Sequence, residues 1–361
     1  MSIVQFGLFK QSRLLVAGAL LSLQIMGWGL FINKVHNSPD SKPVAAIRPV
    51  ANECKNTDKT CQQEQEFRTI TEQSGVAGAF SELRAQYAAD ASVRTNCHPL
   101  THVIGRAAGE KLATVSAAYA EGDEFCWSGY YHGVMEAMLS KTQPDEVVTQ
   151  INTICNDIQV TKPYSFDHYN CVHGLGHGIM LISHHELFES LEACDNLGNS
   201  WERESCYGGV FMENVMAEIN PGHSTKYIIA DQPLYPCTAV KDTYKQQCYL
   251  MQTSQALTSL GGDFTKVFNL CGGIEPQYQA TCYQSLGRDA SGRSVSNIAQ
   301  TRQTCLLGQD AVAKSNCIIG AVKDFISYHH SDAQAKDFCS SLDPDLKTIC
   351  LSTANDYYKT F

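Results

Sequence analysis

The stretch HELFESLEACDNLGNSWERESCYGGVFMENVM, residues 185–216, decides the architecture. Leu187, Leu191 and Cys194 fall at helical spacing on one face, a short polar run follows, and after Cys206 a second apolar-periodic segment begins. The reading is helix, Cys, polar loop, Cys, helix. Working outward, the same arrangement recurs at Cys155 and Cys171, Cys237 and Cys248, Cys271 and Cys282, Cys305 and Cys317, and Cys339 and Cys350. Counted from Cys126, the second cysteines of successive units lie 45, 35, 42, 34, 35 and 33 residues apart, a spacing typical of repeat arrays. A small residue three positions after many of these cysteines (Gly129, Gly174, Gly209, Ser285, Gly320) suits close approach of neighbouring helices.

The expected fold is therefore all-α: a disulfide-stapled helical-hairpin repeat array, an α-solenoid or an α/α toroid. The period of about 35 residues resembles that of helical-hairpin repeats, tetratricopeptide arrays among them. Their Trp, Gly, Tyr and Pro signature is missing, so only architecture carries over, not function. Each staple closing a loop of eleven or twelve residues contributes about 3 kcal/mol if it acts through the entropy of the unfolded chain. Cys97 with Cys126 and Cys54 with Cys61 are the remaining candidate pairs, with connectivity open.

Sixteen cysteines without a C-x2-C pair point to disulfides in an oxidising compartment rather than to structural zinc. Lys10 and Arg13 precede the uncharged stretch Leu14 to Ile32, which is long enough to span a bilayer core of about 30 Å. The expected organisation is a cytoplasmic tail and transmembrane signal anchor over 1–33, a Pro- and Ser-containing linker over 34–60, and an extracytoplasmic helical-repeat domain over 61–361. That places the body in the periplasm or at the cell surface, with the membrane as a partner through the N-terminal helix. Hydrophobic residues make up 43% and charged residues 18%, which supports a sizeable core and excludes a largely disordered chain. A formal charge of -10 argues against a nucleic-acid partner.

Histidines concentrate in the early units. His98 with His102, His132 with Glu136, and His173 with His177 are i,i+4 pairs, each presenting two side chains one turn apart on one helical face. His98, His102, His132, His173 and His177 are the candidate metal residues. In the expected division of roles His102, His132 and His177 hold the ion, His98 and His173 orient ligands or substrate, and Glu136 or Glu213 serves as general base for metal-activated water. Later units carry Ser254, Arg288 and Lys323 at the position of His132, so the set ends abruptly. Three imidazoles and a carboxylate suit a divalent metal, zinc first, with copper or iron as alternatives; Met135, Met138, Met180, Met212 and Met216 nearby would favour copper if they ligated.

No G-x-S-x-G, H-E-x-x-H or phosphate-binding G-x-x-x-x-G-K occurs. The functional expectation is a metal-dependent hydrolase. Its alternatives are a non-catalytic scaffold for a protein or glycan ligand, in which the histidines are structural, and an envelope protein that binds copper. His184 and His185 could extend the site, and His329, His330 and Asp332 read as a surface turn.

Overall fold

Helix starts are written into the sequence by capping residues. Ser165, Asp263, Asn297 and Asp310 each accept a hydrogen bond from a backbone N–H three residues on, and Pro144, Pro276 and Pro344 open helices where a missing N–H costs nothing. The structure is a computed structural model and describes residues 54, 58–156, 158, 165–216, 225–294 and 297–359, which belong to one compact unit, Ile47–Phe361. Sixteen α-helices and no strand occur among them. In chain order they are α1 Lys59–Ala89, α2 Ala91–Thr95, α3 Cys97–Lys111, α4 Val115–Ala120, α5 Gly129–Leu139, α6 Pro144–Gln150, α7 Phe166–Ile182, α8 Leu187–Cys194, α9 Ser200–Met216, α10 Asp242–Ser259, α11 Phe264–Gly272, α12 Pro276–Arg293, α13 Ile298–Cys305, α14 Ala311–His329, α15 Ala333–Ser340 and α16 Pro344–Tyr358.

No helix among the described residues is long and apolar enough to cross a membrane, and the segment Leu14 to Ile32 lies outside them. The cysteine pattern gives no sign of the long α1. This helix is kinked at Gly75, whose φ of 72° only glycine adopts readily.

The longer helices pack in sequence, α1 on α3, then α5, α7, α9, α10, α12, α14 and α16, and the shorter α4, α6, α8, α11, α13 and α15 each lie against the longer helix that follows. Eight disulfides form: Cys54–Cys61, Cys97–Cys126, Cys155–Cys171, Cys194–Cys206, Cys237–Cys248, Cys271–Cys282, Cys305–Cys317 and Cys339–Cys350. Four of them join the end of a short helix (α8, α11, α13, α15) to the next long one. The second cysteine does not begin that helix, as the sequence suggested. It is the seventh residue of α9, α10, α12, α14 and α16, so polar runs such as SWERES are the first turns of helices, largely half-buried, rather than loops. Setting the staple two turns in buries both sulfurs in the core with residues such as Leu191, Val267, Phe325 and Phe338.

Contacts also run between distant parts of the chain. Trp127 Nε1 donates to Asp324 Oδ1 (3.1 Å), the Tyr328 hydroxyl donates to that of Tyr87 (2.9 Å), and His330 Nδ1 lies 2.7 Å from Glu124 Oε2. The end of α14 thus meets α1 and the loop ahead of α5. His330, read from sequence as part of a surface turn, is one of these ties.

Candidate metal centre

Three consecutive long helices supply the histidines. On α3, His98, His102 and Arg106 recur every four residues along one face; α5 carries His132 and Glu136, α7 carries His173 and His177, and α9 contributes Glu213. Glycines let these helices meet at backbone distance. A Cβ on Gly133 would fall 2.1 Å from the carbonyl oxygen of His102, and one on Gly209 would fall 1.9 Å from that of His173, so neither position admits a side chain without the helices separating. The glycines that weaken helix propensity in this part of the chain are what bring the rings together.

His102, His132, His173 and His177 are buried, and His98 is partly exposed. His98 Nδ1 donates to the carbonyl of Cys126 (2.7 Å), His102 Nδ1 to Glu136 Oε1 (2.6 Å) and His177 Nδ1 to Glu213 Oε2 (2.7 Å). Each of these acceptors can only accept, which fixes the proton on Nδ1 and leaves the Nε2 lone pair directed inward. His98 Nε2 and His102 Nε2 face each other at 3.1 Å. His177 Nε2 and His132 Nδ1 are buried without a hydrogen-bond partner. His173 Nδ1 lies 3.3 Å from the Tyr169 hydroxyl.

The electrostatics keep four of the rings neutral. Burial, reinforced by His102, lowers the His98 imidazole to about 3; burial likewise lowers His102, with Glu136 pulling the other way, and holds His132 and His173 well below the usual imidazole range. Burial opposes ionisation of Glu136, yet His102 and Arg106 outweigh it and hold its carboxyl down at about 2. Arg106 Nη1 reaches Glu136 Oε2 at 2.7 Å, forming a partly buried ion pair that the sequence reading missed. The signal was available, since Arg106 continues the four-residue step from His98 and His102.

Donor atoms lying within 4.8 Å of one another define three groups able to hold an ion: His98, His102 and His132; His132, His173 and His177; and Glu136, His177 and Glu213. All seven residues singled out in the sequence therefore converge. His98 and His173, expected to orient ligands or substrate, also offer ring nitrogens within these groups. Both carboxylates are already engaged with Nδ1–H groups, the carboxylate–histidine arrangement that orients ligands around a metal.

Other sequence candidates divide. His185 Nε2 lies 3.6 Å from Glu213 Oε1, at the edge of the cluster, whereas Met135 and Met180 are packed in the hydrophobic core, Met135 beneath Gly174. In the later units Arg288 donates to the Leu250 carbonyl (2.7 Å) and Ser254 (3.0 Å) and pairs with Asp289 (3.0 Å), so the position of His132 is taken over by an ion-paired network there.

No family model, curated protein or solved structure matches this chain.

Proposed function

We propose that the protein is a membrane-anchored, extracytoplasmic helical-repeat metalloprotein whose five-histidine cluster holds a divalent transition metal, zinc first, with copper or iron as alternatives. The observation that carries this reading is the meeting of His98 Nε2 and His102 Nε2 at 3.1 Å. With both Nδ1 atoms donating elsewhere, two lone pairs point at one another with no proton between them, a repulsive contact that a shared cation turns into attraction. The separation also suits nitrogens about 2.0–2.1 Å from one tetrahedral zinc. Buried, unpartnered ring nitrogens on His132 and His177 extend the same case, since each costs free energy unless something binds it. The serial packing of stapled hairpins supports a repeat array, and the ties from α14 back to α1 favour a closed ring over an open solenoid. Eight disulfides support an oxidising compartment, and the Leu14 to Ile32 segment supports tethering.

Metal-dependent hydrolysis is a second reading, favoured by the partial exposure of His98. It gives the triad of His98, His102 and His132 a solvent side where a fourth ligand, water, could be activated. Under this reading Glu136 and Glu213 orient the imidazoles, and a general base must be sought elsewhere.

Elemental analysis of tag-free protein, isolated from an oxidising compartment, tests the proposal. Stoichiometric metal whose amount falls in His102→Ala supports it. Metal-free parent protein that does not take up zinc, copper or iron overturns it and leaves the histidines as structural groups in a protein- or glycan-binding scaffold.

A further inference from the structure

The two three-histidine groups share a single residue, His132. Its ring centroid lies 5.5 and 5.2 Å from those of His98 and His102, and 4.9 and 4.5 Å from those of His173 and His177; the two sets also approach each other directly, His102 to His177 at 5.6 Å. Each group also has its own carboxylate, Glu136 behind His102 and Glu213 behind His177. The local plan of α3 with α5 is thus repeated by α7 with α9: a histidine on one helix donates through Nδ1 to a glutamate on the next.

His132 departs from this plan. Four of the histidines have a hydrogen-bonding atom at Nδ1, from Cys126, Glu136, Tyr169 and Glu213 respectively for His98, His102, His173 and His177. The Nδ1 of His132 is buried with none, the residue being 2% exposed, and an orphaned ring nitrogen there is costly. A ring held by no acceptor has both nitrogens available to ligands, and this one belongs to both donor sets.

Resting on the metal-binding reading above, we propose that the cluster is a two-ion centre in which His132 bridges. One divalent ion binds His98, His102 and one nitrogen of His132; the second binds His173, His177 and the other. Coordination of the second ion displaces the remaining ring proton of His132, which passes to solvent, so that the bridge is an imidazolate. The negative charge of that bridge, with those of Glu136 and Glu213, offsets the charge of two closely spaced cations. The partly buried Arg106 is paired with Glu136 at 2.7 Å.

The test is titration of metal-stripped, full-length protein with Zn(II) and separately with Cu(II), with the bound stoichiometry read by elemental analysis after desalting. Two ions per chain are expected. His98→Ala and His173→Ala should each retain one tightly bound ion, and His132→Ala should weaken both sites by more than 100-fold. Electron paramagnetic resonance of the fully Cu(II)-loaded parent should show magnetic coupling between the ions, and His98→Ala should restore the signal of an isolated Cu(II). One ion per chain in the parent overturns the bridge while leaving the metal reading intact. Two uncoupled ions, or two that survive loss of His132, overturn it as well, and no bound ion refutes the metal reading itself. Because the parent stoichiometry and its spectrum decide the matter alone, misfolding of a variant does not obscure the result.

Discussion

Replacing Gly209 with alanine adds one methyl group at a point where two helices already touch. The new Cβ would lie 1.9 Å from the His173 carbonyl oxygen, against about 3.3 Å for a close carbon–oxygen contact, so α7 and α9 must separate locally by roughly 1.4 Å. His177 and Glu213 sit one turn further along the same two faces, and their 2.7 Å hydrogen bond would open toward 4 Å, about as far as needed to break it. Overpacking costs about 1–3 kcal/mol and the lost charge-assisted bond about 1.5–3, offset by about 1 from alanine's better helix propensity. The net loss is roughly 2–5 kcal/mol. Thermal unfolding followed by circular dichroism, with disulfides intact, should show a midpoint lower by about 3–8 °C for a unit of this size. Gly208→Ala is the internal control. Its Cβ would meet only side-chain atoms, the nearest being His173 Nδ1 at 3.3 Å, so the ring need move only a few tenths of an ångström and the midpoint should shift far less. Equal midpoints for the two variants would refute the claim that backbone contact at Gly209 sets the cluster's geometry.

Two further outcomes follow from buried charges. Glu136→Gln keeps the shape but removes the carboxylate that fixes the His102 tautomer and balances Arg106; zinc affinity measured by chelator competition should fall about 10–100-fold, and unchanged affinity would remove Glu136 from the centre. Asp324 is raised by burial to about 6 from 3.8, with the Trp127 hydrogen bond countering part of the effect. The fold therefore prefers the protonated acid: this preference contributes fully below pH 3.8 and is lost as the pH rises through about 6, leaving a cost of about 3 kcal/mol at neutral pH. Asp324→Asn retains an acceptor for Trp127 and should raise the denaturation midpoint at pH 7 while changing little near pH 4; an equal effect at both would contradict this.

The features legible in the sequence were local ones. Cysteines eleven or twelve positions apart, and histidines four apart, report short-range geometry that a helix fixes almost regardless of context. The even spacing therefore led to within-hairpin bridges, and the i,i+4 pairs led to side chains that meet in one cluster. What escaped was set by packing between helices. Whether His98 and His173 act as donors or as supports depends on how α3, α5 and α7 are rotated against one another, which periodicity alone does not determine. Trp127 and Asp324, 197 residues apart, meet because distant helices come together, and neither carries a sequence mark of that contact. Asp324 did leave a faint trace: like Glu213 and Asp289, it is an acid seven residues after its unit's second cysteine, on a helix with an otherwise buried face.

The most direct measurement is anomalous X-ray diffraction at the absorption edge of the bound metal, recorded from crystals of the purified protein without added metal. The account predicts an anomalous peak bounded by His98, His102 and His132. No peak within the cluster, with His98 Nε2 and His102 Nε2 still facing one another and nothing between them, would contradict it.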